Sequence, residues 1–163
     1  LYSATAAAGI CPGGCGVTGM LEISQALLDE IRAEAEKGYP NECCGFIFGH
    51  IAEGDTKRAI SVLPNENRSE SSEQYHRFTI TAADMMRAER YARREKLDIV
   101  GFYHSHPDCP AIPSEYDRSH ALPVYSYIIV SCVHGRAAEL TNQQLDPETG
   151  YTKFIKEEIT QWQ

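Results

Sequence analysis

From Met20 onward, the spacing of apolar and polar positions changes period along the chain. In SQALLDEIRAEAEKGYP, residues Leu27, Leu28, Ile31 and Ala35 recur at helical spacing. That stripe predicts an amphipathic helix, N-capped by Ser24 and stopped by Gly38 and Pro40. CCGFIFGH is a short apolar run bounded by glycines, which suits a buried strand, and RAISVLPN predicts another strand ending at Pro64 and Asn65. ENRSESSEQY is polar and reads as a loop, followed by RFTI as a short strand. TAADMMRAERYARREKLD predicts a second helix with Met85, Ala88 and Tyr91 or Ala92 on its apolar stripe. Thr81 and Asp84 form its capping box, with Asp in the usual place of Glu. DIVGFYHSH then reads as a strand, PSEYDRSHAL as a short helix begun by Ser114, and VYSYIIVSC as a strand apolar enough to be central. RAAELTNQQ predicts one more strand, and TKFIKEEI either a strand or a terminal helix. No repeat or linker interrupts residues 20–163. The pattern therefore predicts one α/β (α+β) domain, a mixed central β-sheet flanked by helices.

The chain's 163 residues suffice for one domain with a hydrophobic core. A net charge of -8 argues against a general nucleic-acid binder, which needs clustered Lys and Arg at phosphates. The basic residues of RAERYARREK are interleaved with acids and read as a solvated helix face. No apolar run is long enough to cross a membrane. The six cysteines include the adjacent pair Cys43 and Cys44, which does not resemble a secreted disulfide framework, and they form no paired CxxC zinc pattern. A reducing, cytoplasmic setting is expected. Residues 1–19 carry no charge and are dominated by small residues and glycine. They are expected to be a flexible extension outside the fold, either appended ahead of a natural start at Met20 or a disordered tail.

The chemistry concentrates in GFYHSHPDCPAIPSEYD, residues 101–117. Side chains alternate faces along a strand, so His104 and His106 point one way and Ser105 the other. Pro107 has no N–H and is expected to end regular pairing, placing both imidazoles near a strand end open to solvent. With Ser114 as N-cap, Asp117 falls on the first turn of the short helix. Two imidazoles and one carboxylate, with a fourth position for water, is the composition of a catalytic zinc site. The same residues also admit a plainer reading: an incidental His-x-His pair beside an ordinary capping box.

His104-Ser105-His106, then seven residues, then Ser114-Glu115-Tyr116-Asp117 resembles the H-x-H-x7-S-x2-D pattern of the JAMM (MPN+) metalloproteases. Glu42 in PNECCGFIFG stands where that family carries an upstream glutamate. The resemblance runs from Met20 to the C-terminus and is greatest to the small bacterial and archaeal members. These are linked to ubiquitin-like sulfur carriers of the ThiS/MoaD type. It implies one zinc ion per chain held by His104, His106 and Asp117. It implies that Glu42 acts as general base and acid and that Ser114 stabilises the oxyanion. It further implies cleavage after the C-terminal Gly-Gly of a carrier, releasing an extension or an attached cysteine. Such chemistry needs no nucleophilic thiol, so Cys43 and Cys44 read as small packing residues.

His120 reads as an exposed polar residue rather than a support for the site. His50, His76 and His134 read as surface residues, and Asp108 and Cys109 are not expected to ligate. Relatives selective for polyubiquitin carry an insertion after the zinc aspartate, and only a few residues separate Asp117 from the strand near Val124. A flexible Gly-Gly tail, lying extended along a narrow cleft, is the better expectation. Gly13-Gly14-Cys15 itself resembles such a tail and is a candidate to enter the site or to offer a thiolate to the metal. Two other functions are compatible with the sequence: a non-catalytic interaction module of this fold, and a zinc peptidase acting on short peptides.

Overall fold

A computed structural model describes residues 19–162. The described chain runs β1 (Met20–Glu22), α1 (Gln25–Gly38), β2 (Cys44–Ile51), β3 (Thr56–Asn65), α2 (Ala82–Glu95), β4 (Asp98–Pro107), α3 (Glu115–His120), β5 (Ser126–Val133), β6 (Arg136–Leu145), β7 (Phe154–Lys156) and β8 (Glu158–Thr160). The expected extension lies outside the described residues except for Gly19, which is buried. The folded part thus includes at least one residue before Met20. Gly13, Gly14 and Cys15 also lie outside the described residues.

The eight strands form one mixed sheet in the order β7-β6-β5-β4-β2-β3-β1-β8. β4 and β5 run parallel, while β2 is antiparallel to both β3 and β4. β7 and β8 occupy opposite edges, yet only Glu157 separates them in the chain. One residue spans about 3.3–3.6 Å, so the sheet must curl until its two edges meet at Glu157. α1 packs inside this curl: Leu27, Leu28, Ile31 and Ala35 join Leu21, Ile47, Val100, Tyr103, Ile128 and Val130 in the main core. α2 covers the other face, where Ala88 and Ala92 meet Phe46, Phe48 and Phe102.

Local signals explain both long helices. The Ser24 hydroxyl accepts from the Leu27 N–H at 3.3 Å, and Thr81 and Asp84 form a reciprocal capping box. α2 stops at Lys96, which takes the left-handed conformation at φ 57°.

Two expectations need correction and one ambiguity resolves. RFTI is not a strand, because its backbone bonds go elsewhere: Thr79 N–H donates to Asn67 Oδ1 at 3.2 Å, and Thr79 C=O accepts from Arg68 N–H at 3.1 Å. Pro107 does not end pairing. β4 separates from β2 after His104 but stays registered with β5 through Pro107, opposite Cys132. The C-terminal segment forms two short strands rather than a helix. Among the described residues, no helix is long and apolar enough to cross a membrane.

Candidate metal centre and its surroundings

His104 and His106 extend from the end of β4 on the face covered by α2, and α3 brings Asp117 to them. The two Nε2 atoms lie 3.0 Å apart. Asp117 Oδ1 is 3.3 Å from His104 Nε2, and Asp117 Oδ2 is 3.4 Å from His106 Nε2. Tetrahedral ligands at roughly 2.0–2.1 Å from zinc stand about 3.3 Å from one another, so the donor atoms fit a zinc-sized ion. All three residues are nearly enclosed, at 2, 7 and 9 % exposure.

The local structure sets each donor. His106 Nδ1 is 2.9 Å from the Pro110 carbonyl, which can only accept, so Nδ1 carries a proton and Nε2 is the nitrogen turned to the cluster. The His104 ring stacks on Phe78 with centroids 4.6 Å apart. Asp117 Oδ2 accepts from the Ser114 N–H and from the Ser114 hydroxyl, both at 2.7 Å. Burial works to raise the Asp117 pKa, but hydrogen bonds from both imidazoles outweigh it and hold the carboxyl well below the usual range. Burial pushes His104 down against the pull of Asp117. His106 is raised because Asp117 and the Pro110 carbonyl overcome its own burial.

Glu42 sits just before β2 and is 7 % exposed. Burial pushes its carboxyl up to about 8, opposed by His106 and reinforced by the charge of Asp117. The group is thus electrostatically within reach of the cluster without belonging to it. Its neighbours are poor nucleophiles: burial pushes the Cys43 thiol up to about 11 and Cys44 up to about 12. Ser105, on the opposite face of β4 from the histidines, accepts from the Cys43 N–H at 2.8 Å and so ties the Glu42 segment to the histidine strand.

The remaining candidates lie outside the cluster. His120 is exposed and packs on Tyr116, with ring centroids 4.1 Å apart. His50, His76 and His134 are exposed. Asp108 accepts from Tyr39 Oη at 2.8 Å and from the His134 N–H at 2.7 Å, and the exposed Cys109 contributes only its carbonyl, to Ser131 Oγ. Three supporting groups escaped the sequence: the Pro110 carbonyl, Phe78 and Ser105. Only Ser105, set between the two histidines, carried any signal; the others depend on how loops fold back. An apolar groove of about 220 Å³ leads to His104 and Asp117, with Phe102, Tyr116, Leu122 and Phe154 among its walls.

The profile of the family described as prokaryotic homologs of the JAB domain matches residues 24–145. Over 124 residues the chain is 33 % identical to the "Probable TtuB-protein conjugate cleaving protease" of Thermus thermophilus, covering 74 % of this chain and 76 % of that protein. A desampylase of Pyrococcus furiosus is 37 % identical over 76 residues, which is 47 % of this chain and 49 % of the relative; the match spans about half of that protein's length. A solution structure from Desulfitobacterium hafniense superposes with a TM-score of 0.74 at 25 % identity, covering 88 % of this chain and 94 % of the other. The chain belongs to the prokaryotic JAB family, in the JAMM-type metalloprotease class of hydrolases.

Proposed function

We propose that this protein is a zinc-dependent hydrolase that cleaves the peptide or isopeptide bond following the C-terminal Gly-Gly of a ubiquitin-like carrier of the ThiS/MoaD kind. The observation that carries this reading is the convergence of two imidazole nitrogens and one carboxylate within 4.8 Å; the buried Glu42 carboxyl lies outside that cluster but feels the charges of His106 and Asp117. The similarity to a desampylase and to a probable TtuB-protein conjugate cleaving protease supports the substrate class. The apolar groove supports entry of an extended tail, and glycine at the cleavage position lets the backbone approach closely. We assign a cytoplasmic setting to the protein; the four described cysteines are all free, in keeping with a reducing compartment.

In this reading His104, His106 and Asp117 hold the metal. A zinc ion held by these three side chains would supply Lewis acidity and would make a water in the site easier to deprotonate. Glu42 takes the proton of the attacking water and returns it to the leaving amine. A carboxyl pushed up to about 8 suits that exchange near neutrality. The Ser114 hydroxyl, which donates to Asp117 at 2.7 Å, can turn toward the oxyanion as charge develops there.

The test is intact-mass analysis of a Gly-Gly carrier bearing a C-terminal extension. It is incubated with the zinc-loaded protein, with Glu42→Ala, and with a chelator. Loss of the mass beyond Gly-Gly with the zinc-loaded protein alone is expected. Tight zinc binding without cleavage would favour an interaction module, and equal cleavage of unrelated short peptides would favour a general peptidase.

A further inference from the structure

We infer that Asn67 is a positioning residue for Glu42, an inference that rests on the catalytic reading of Glu42 above. Glu42 lies outside the strand ladder, since the pairing of β2 begins at Cys44, opposite Asn65 and His104. Its own peptide groups therefore need partners from elsewhere, and the loop between β3 and α2 supplies both. The Glu42 N–H donates to the Gln74 carbonyl at 2.7 Å, and the Glu42 carbonyl accepts from Asn67 Nδ2 at 3.1 Å.

Asn67 uses all its hydrogen-bonding capacity in this arrangement. Nδ2 also donates to the Arg77 carbonyl at 2.8 Å, while Oδ1 accepts from the N–H groups of Ser69 at 3.0 Å and Thr79 at 3.2 Å. The nitrogen faces two acceptors and the oxygen two donors, so only one amide orientation satisfies the site. The Asn67 carbonyl accepts in turn from Gln74 Nε2 at 3.3 Å, which steadies the residue that holds the Glu42 N–H. Arg77, fixed through its carbonyl, lays its guanidinium 4.7 Å over the Tyr116 ring, next to Asp117 on α3. One amide thus couples the Glu42 segment to the loop that spans to the helix carrying Asp117.

Aspartate at position 67 would set an oxygen against two carbonyls, and alanine would leave those carbonyls and two N–H groups without their partner. Both changes free the Glu42 backbone, and none of the three donor side chains of the cluster is a hydrogen-bond partner of Asn67. A shift of about 1 Å in a reacting group is enough to lower a rate about 100-fold.

The experiment uses the zinc-loaded full chain with Asn67→Asp, Asn67→Ala and, as control, Asn65→Ala, whose amide donates only to the Glu66 carbonyl. Steady-state cleavage of the extended Gly-Gly carrier is read together with zinc content and residue-resolved amide exchange. In both Asn67 variants kcat should fall about 10- to 100-fold with KM within about twofold. Zinc content should stay at the wild-type value. Exchange at the Glu42 amide should accelerate while Ile47, inside β2, keeps its protection. Asn65→Ala should match wild type. Wild-type kcat in Asn67→Asp, or unchanged exchange at Glu42, overturns the inference. So does a loss of Ile47 protection in step with kcat, because Asn67 would then serve the fold as a whole. If the wild-type protein itself cleaves no carrier, the catalytic reading fails and a role in positioning a base fails with it; the exchange data alone then report whether Asn67 grips this segment.

Discussion

Asp117 serves two structures with one carboxylate. Its Oδ2 closes the capping box of α3 through Ser114, and its two oxygens face the two imidazoles. The plain capping reading of S-x-x-D and the ligand reading are therefore compatible, because the cap itself aims the carboxylate. Asp117→Asn retains one oxygen for the cap but turns an N–H toward the imidazole nitrogens and removes the charge. We expect helical circular dichroism close to wild type and a loss of zinc affinity of about 10-fold or more, read by metal content after dialysis. At this scale the sequence was informative in part: the donor atoms of His104, His106 and Asp117 converge, while Glu42 is buried outside that cluster. The Pro110 carbonyl and Phe78 were not legible, since a backbone acceptor has no residue signature and a ring stack needs two distant segments to meet.

Among the elements, α2 shows how a cap responds to pH. The Asp84 carboxylate accepts from the Thr81 N–H at 2.8 Å and the Thr81 hydroxyl at 2.6 Å, and pairs with Arg87. Burial opposes its ionisation, but these contacts prevail and bring its pKa from 3.8 to about 2. A carboxyl with a depressed folded-state pKa stabilises the fold above its unfolded pKa. That contribution is lost as pH falls through the folded value. Wild type should therefore exceed Asp84→Asn by about 1–2 kcal/mol in urea denaturation at pH 6. The gap should narrow below about pH 4 and close near pH 2. This cap was readable from Thr81 and Asp84 alone. The RFTI segment misled because β-forming residues there found their partners in the side chain of Asn67 rather than in a neighbouring strand.

For the whole molecule, closure of the sheet depends on a buried ion pair. Lys57 Nζ on β3 lies 2.7 Å from Glu157 Oε1, with both side chains almost fully buried. Lys57 also donates to Ser126 Oγ at 3.1 Å, and Asn142 Nδ2 donates to Glu157 Oε2 at 2.7 Å. Glu157 is the single residue between the two edge strands, so this network joins β3, β5 and β6 at the seam. Removing one partner strands a buried charge. Lys57→Met should cost about 3–5 kcal/mol, and replacing both partners by apolar residues should recover much of it. Equilibrium urea unfolding of the single and double variants checks this, with additive losses counting against a coupled pair.

By itself the sequence determined the local structure: two capped helices with their apolar faces, the principal strands, and a helix start that carries Asp117 three residues past its cap. Those features are written in periodicity and capping, which act over a few neighbouring residues. The tertiary structure alone decided that the sheet curls until β7 and β8 share a seam. It also decided that α1 lies within that curl and that the loop after β3 reaches back to hold Glu42. Each of these depends on contacts between residues far apart in the chain, where hydrogen-bonding demand and apolar burial are satisfied by partners that no local pattern names.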